Sequence, residues 1–167
     1  MKSEFELALA QITEDTFASM AFVLPVSEEE CQETVDTTKV AAHVAFSGPL
    51  TGSLELRVSR SMLPTLAANM LGLENPRLAS PAQQQDALKE ISNVICGNLL
   101  PRLTSPTDVF SMHEPRFVEN SDAAAIPAGS ELEVHAHICL DCGRAEVTLL
   151  ANQPSGHCQL VNQLAND

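Results

Sequence analysis

The sequence contains no Trp and no Tyr, and aromatic residues make up only 4% of its 167 residues. We therefore expect a core of aliphatic side chains, which a chain of this length can bury as one domain. No segment approaches the roughly 18 consecutive apolar residues that span a membrane. The first six residues are acidic and amphipathic, unlike a signal peptide. These features predict a protein that does not enter a membrane.

Positive charge is also scarce, with 9 Lys and Arg residues against 22 Asp and Glu residues and a net charge of −13. Nucleic acids and anionic membrane surfaces are bound by basic faces, so this balance argues against both as partners. The acidity fits a protein whose partners are other proteins.

Several motifs of reactive or binding sites are missing. The five Cys residues are an odd number and are scattered along the chain, which predicts a reduced, cytoplasmic location. No Gly-rich phosphate loop is present, so direct nucleotide binding is not expected. The Gly-x-Ser-x-Gly and Ser-x-x-Lys patterns of serine nucleophiles are also absent.

The order of predicted elements is that of an α+β fold. We expect one domain over residues 1–151 and a polar C-terminal tail over 152–167. Hydrophobic periodicity of 3.6 or 2 residues gives the elements within the domain. They are a helix over 4–22, a hairpin over 40–58 that turns at Gly48–Gly52, helices over 61–71 and 81–100, a strand over 110–117 that Pro115 interrupts or confines to an edge, and a hairpin over 132–149.

The last hairpin carries a polar pattern, in which His135, His137 and Cys139 share one face of a strand. Such side chains are roughly 6.5–7 Å apart, too far for three of them to converge on a metal without a bend. Cys139 and Cys142 have the spacing of a redox motif, but they lack the helix N-terminus that lowers a thiol pKa. We therefore predict a polar sheet face here, with no metal site and no redox centre.

The helix over 81–100 is the most informative segment. Ser80, Pro81 and Gln83 predict its start as a capping box with Pro in the first turn, and Pro101 ends or kinks it. One face is an ordinary buried stripe, and the opposite face carries two poor helix formers among its residues. The buried stripe is Leu88, Ile91, Ile95 and Leu99, and the opposite stripe is Asp86, Glu90, Asn93 and Gly97.

The spacing of Glu90, Asn93 and Gly97 resembles the Glu-x-x-Asn-x-x-x-Gly helix of the CheC/CheX family of bacterial chemotaxis phosphatases. The surrounding elements agree, including the opening helix with Thr16–Met20 and the helix end at Met70–Gly72. The resemblance implies the family's fold, in which helices pack on an antiparallel sheet with pseudo-symmetric halves. A second Glu/Asn pair is missing from the opening helix, and this favours the CheX branch and, with it, a homodimer joined through the sheets.

The resemblance also implies a reaction and a partner. The substrate would be the phospho-aspartate of a CheY-like response regulator, with Asn93 orienting the attacking water and Glu90 pairing with the regulator's lysine. Gly97 would leave clearance for the partner, and Asp86, on the same stripe, would contact it or stabilise the helix start. The chain would hold no cofactor of its own, and the Mg²⁺ would be the regulator's. The alternative is a non-catalytic module of the same fold that docks on a regulator or a flagellar switch component.

Overall fold

The computed structural model describes residues 3–31, 38–119 and 130–152. The predicted tail over 152–167 lies outside these residues, except for Asn152, which ends the last strand. Helices and antiparallel strands follow one another in the predicted order, and the α+β class is confirmed. No helix in this part of the chain is both long and apolar enough to cross a membrane.

Three α-helices lie within the described residues, and sequence signals fix their ends. Capping boxes begin the first and third helices at Ser3 and Ser80, where each serine hydroxyl accepts from the backbone three residues on. Gly72 ends the second helix in the left-handed region, at φ +67°, which glycine adopts without a Cβ penalty. The helices are α1 (Glu4–Ala21), α2 (Leu63–Leu71) and α3 (Pro81–Leu103).

The described strands form one antiparallel sheet. They are β1 (Lys39–Ser47), β2 (Thr51–Ser59), β3 (Ser111–Met112), β4 (Arg116–Val118), β5 (Leu132–Leu140) and β6 (Gly143–Asn152). The order across the sheet is β3-β1-β2-β6-β5, and β4 also pairs with β1. The hairpins β1–β2 and β5–β6 therefore meet in the middle, where Leu54 lies opposite Leu149.

The helices cover one face of the sheet. On that face the inward residues of the four long strands are buried, as their alternation predicts, and they form one core with α1 and α3. The other face is polar and partly exposed. A row of cross-strand partners runs across it from one edge to the other: Arg116, His43, Glu55, Thr148 and His135.

The end of α3 differs from the prediction. The helix does not stop at Leu100 but continues through Pro101 to Leu103. Proline in a helix removes one backbone hydrogen bond, here the one that would reach the carbonyl of Gly97. Leu100 and Leu103 are both only 1% exposed, so burial of apolar surface at the end of the helix offsets that loss.

Two short edge strands follow α3 in place of one interrupted strand. Both β3 and β4 pair with β1, at Phe46–Met112 and Ala42–Phe117, and Pro115 lies between them. Proline has no N–H to donate to a ladder, so the break at Pro115 is the expected result. The short segment brings Met112 beside the polar stripe of α3.

Candidate functional site

The candidate site is the exposed stripe of α3. The predicted buried stripe is confirmed, since Leu88, Ile91, Ile95 and Leu99 are at most 1% exposed. On the other side Glu90 and Gly97 are exposed and Asn93 is partly exposed. A helix buried on one face and open on the other holds such side chains in fixed register, because its backbone cannot rotate without exposing the core.

The side chains of Glu90 and Asn93 are not engaged within the described part of the chain. Neither makes a hydrogen bond or an ion pair there. Lys89, the nearest base in sequence, pairs with Asp86 instead, with 2.6 Å between Nζ and Oδ1. The Glu90 carboxylate and the Asn93 amide are therefore available to an external group.

Gly97 lies one turn after Asn93 and leaves space beside it. A Cβ at this position would meet only the sulfur of Met112, at an ordinary contact distance of 3.7 Å. The carbonyl of Gly97 also lacks its usual helical donor, because the residue four positions on is Pro101. The stripe thus combines a carboxylate, an amide, an open surface and a backbone acceptor.

The thiol of Cys96, on the same helix, is unreactive at neutral pH. Cys96 lies on the buried side of α3, and burial raises its pKa to about 12. A thiol with that pKa stays protonated at neutral pH and is a poor nucleophile. The groups that α3 presents to solvent can bind, orient and carry charge, but they include no covalent nucleophile.

A groove between α1 and α3 adjoins the stripe. Its volume is about 420 Å³, and Val94 and Asn98 of α3 line it together with Asp15 of α1 and Arg102. Arg102 is exposed and has no ion-pair partner among the described residues. The sequence analysis missed this feature, because the packing of α1 against α3 is a tertiary contact with no local pattern.

The polar face of β5 differs in detail from the prediction. His135 and His137 are exposed, and Nε2 of His135 lies 2.7 Å from Glu133 Oε1 while Nδ1 lies 3.0 Å from the Thr148 hydroxyl. Cys139, on the same face, is only 9% exposed. Within the described ranges no three His, Cys, Asp or Glu side chains are grouped to hold a metal ion.

The sequence model of the chemotaxis phosphatase CheX family matches residues 40–139, which is more than half of the chain. The chain belongs to the CheX family. The matched region contains all of α3 and most of the sheet. Among curated proteins, none matches the sequence significantly.

Solved structures of CheX proteins have the same fold. CheX from Desulfovibrio desulfuricans superposes with a TM-score of 0.70 at 17% identity, covering 90% of this chain and 100% of its own. CheX from Vibrio vulnificus gives a TM-score of 0.69 at 18% identity, with 91% and 99% covered. CheX in a CheX–CheY–BeF3–Mg²⁺ complex from Borrelia burgdorferi gives 0.63 at 16%, with 90% and 99% covered.

The CheX fold accounts for the resemblance found in the sequence. Glu90, Asn93 and Gly97 lie on one exposed stripe, as predicted, while Asp86 lies at its start and is engaged by Lys89. On α1, a second pair that began at Glu14 would need an exposed Asn three residues later. That position holds Phe17, which is fully buried. The described structure thus offers one Glu/Asn pair, on α3.

Proposed function

We propose that this chain hydrolyses the phospho-aspartate of a CheY-like response regulator, with Glu90 and Asn93 as the residues that act on it. Membership of a chemotaxis phosphatase family supports the reaction class. The observation that carries the assignment of residues is that both side chains stand on an exposed, rigid stripe without partners in the described part of the chain.

The role of Asn93 follows from the chemistry of an amide. An amide cannot take up a proton at neutral pH, so Asn93 is not a general base, but its oxygen and NH₂ group can hold a water in a fixed direction. In-line attack on a phosphoryl group depends mainly on positioning and electrostatics. The water oxygen bonds to phosphorus as the bond to the aspartate oxygen breaks, which releases inorganic phosphate and restores the carboxylate.

Glu90 supplies charge and not proton transfer in this proposal. Its carboxylate, one turn before Asn93, would pair with a lysine of the regulator and so fix the amide against the phosphoryl group. We assign the Mg²⁺ to the regulator, where it would neutralise charge on the phosphoryl oxygens. No cofactor of this chain takes part.

Gly97 and Asp86 extend the proposed docking surface along α3. Gly97 would let the partner approach the helix backbone, and a Cβ added there would meet only the Met112 sulfur, at 3.7 Å. Asp86 lies one turn before Glu90 and would need to exchange its contact with Lys89 for one with the partner.

The groove between α1 and α3 would bind the same partner farther from the reaction centre. Arg102 places a positive charge there, opposite in sign to the net charge of the protein, and forms no ion pair within the described residues. Charge at the rim of an interface mainly changes association and its dependence on salt. We expect Arg102→Glu to raise KM at low salt and to leave kcat close to the wild-type value, as measured with phosphorylated regulator.

The experiment that tests the function is direct. The purified protein is added to a phosphorylated response regulator, and loss of the acyl phosphate is followed against the regulator's own rate. Acceleration supports the phosphatase. Binding without acceleration would instead identify the docking module that the sequence analysis kept as the alternative.

We also propose a homodimer joined through the sheets. The support for it is the sheet face that no described helix covers, together with the sheet edge formed by the short strands β3 and β4. Light scattering on the purified chain gives the mass in solution, and a monomer across the micromolar range would contradict the proposal.

A further inference from the structure

Cys139 is buried although it points away from the core. It lies on the same face of β5 as His135 and His137, which are both exposed. The difference arises from the segment that follows α1. Val26 donates from its backbone to the carbonyl of Cys139 at 2.9 Å, and Pro25 bridges to Leu140, so this segment runs along the edge of β5.

The next residues of the segment fold over the face itself. Oε2 of Glu28 lies 3.0 Å from Nη2 of Arg144, which is the cross-strand partner of Cys139. Cys31 follows on the same segment and is partly buried. The side chains of Cys139 and Arg144 both interact with the side chain of Cys31. The segment after α1 thus brings two thiols distant in sequence together, beside the ion pair of Glu28 and Arg144.

We propose that Cys31 and Cys139 form an oxidation site, in which a peroxide joins the two thiols in a disulfide. In the reduced protein both are free thiols. Cys31 is the more accessible of the two, so its sulfur attacks the peroxide, takes one oxygen as a sulfenic acid and releases water. The sulfur of Cys139 then attacks that sulfenic sulfur, the new S–S bond forms, and a second water leaves.

The environment explains the order of these two steps. Burial raises the pKa of Cys139 to about 11, so this thiol is a weak first nucleophile at neutral pH. Cys31 is the more exposed of the two thiols, so it is the one that a peroxide reaches first. Cys31 lies outside the helices and strands, so its backbone can adjust to the specific geometry that a disulfide requires.

The site differs from the Cys139–Cys142 spacing that the sequence analysis considered. Cys142 lies in the turn between β5 and β6, and burial raises its pKa to about 11. The contact of Cys139 is with Cys31, on a segment more than a hundred residues earlier. The inference is independent of the proposed phosphatase activity.

The test is mass spectrometry of the full chain after brief treatment with hydrogen peroxide and alkylation of the remaining thiols. Cleavage before Asp141 separates Cys139 from Cys142, so the partners of each can be assigned. We expect a peptide pair joined through Cys31 and Cys139, lost in Cys31→Ser and retained in the matched control Cys142→Ser. A long loop closed by a disulfide should raise Tm by on the order of 10 °C.

The measurement on the wild-type chain decides the question even if a variant fails to fold. Circular dichroism before and after treatment shows that the protein was native when it was oxidised. A bond from Cys139 to Cys142, a bond from Cys31 to any other cysteine, or sulfinic acid at Cys31 without a crosslink would each overturn the proposal.

Discussion

Nζ of Lys89 lies 2.6 Å from Oδ1 of Asp86, and this contact leaves Glu90 without a counter-charge among the described residues. The pair forms because residues three apart lie on the same side of a helix, whereas adjacent residues do not. The Lys89–Asp86 pair therefore affects the charge of the α3 stripe. The carboxylate of Glu90 is exposed and uncompensated, and it presents negative charge at the centre of the α3 stripe.

Substitution of Glu90 by Ala should weaken both binding and turnover of a phosphorylated regulator. If Glu90 pairs with a regulator lysine in a desolvated contact, its truncation costs roughly 2–5 kcal/mol. Titration of the regulator and the rate of acyl-phosphate loss measure the two effects. The matched control is Glu74→Ala, an exposed acid in the loop before α3. Equal losses in both variants would show that only net charge matters.

Replacement of Asn93 by Ala should remove turnover and spare the fold. Asn93 makes no hydrogen bond within the described residues, so its truncation breaks no hydrogen bond there. Loss of one group that orients the reacting water could lower kcat on the order of 10²-fold or more. Gln85→Ala, another partly exposed amide on α3, serves as the control. A wild-type rate in the Asn93 variant would exclude the mechanism.

Substitutions of Gly97 should change the stability of the protein and its phosphatase activity independently. Gly97→Ala places a Cβ 3.7 Å from the sulfur of Met112, which is ordinary contact, and Ala is roughly 1 kcal/mol better than Gly in a helix. We expect this variant to unfold at higher urea concentration and to keep its activity.

The larger substitution Gly97→Leu should be at least as stable as the wild type, yet inactive, because its side chain stands where the partner docks. Urea unfolding and the phosphatase assay are made on the same samples. Activity retained in a stable Leu variant would show that the stripe is not a docking surface. A sharp fall in stability would show that Met112 cannot yield to the added bulk.

His43 should make stability depend on pH. Burial is the main cause that lowers its pKa, opposed by Glu55 and reinforced by Arg116, its neighbours on the adjoining strands. The unfolded imidazole takes up a proton near pH 6.5, before the folded one does. The contribution of neutral His43 to the free energy of unfolding is therefore complete above about pH 6.5. It is lost as the pH falls through the lower pKa of the folded state.

The comparison is urea unfolding at pH 7.5 and at pH 5.5. We expect His43→Gln to lose less stability over this interval than the wild type. The matched control is His137→Gln, which removes an exposed imidazole from the same sheet face. If both variants changed the pH dependence of the free energy of unfolding equally, a specific effect of His43 would be contradicted.

Local sequence determined the order and most boundaries of the elements. Ser80 and Gln83 form the predicted capping box, with 3.2 Å from the Gln83 nitrogen to the Ser80 hydroxyl, because capping depends only on residues within one turn. The alternation in β5 and β6 likewise fixed which side chains enter the core. For the same reason the stripe of Glu90, Asn93 and Gly97 could be read from helical spacing alone.

Tertiary structure decided what local rules could not. Proline predicts a helix end at Pro101, but the core that receives Leu103 keeps the chain helical, and burial depends on residues far away in sequence. The groove at Asp15 and Arg102 exists only because α1 packs on α3. Cys139 was predicted on an open polar face, yet the segment that includes Pro25, Val26 and Cys31 covers it. Periodicity gives the direction of a side chain from the backbone, and only the packing of distant segments determines what that side chain meets.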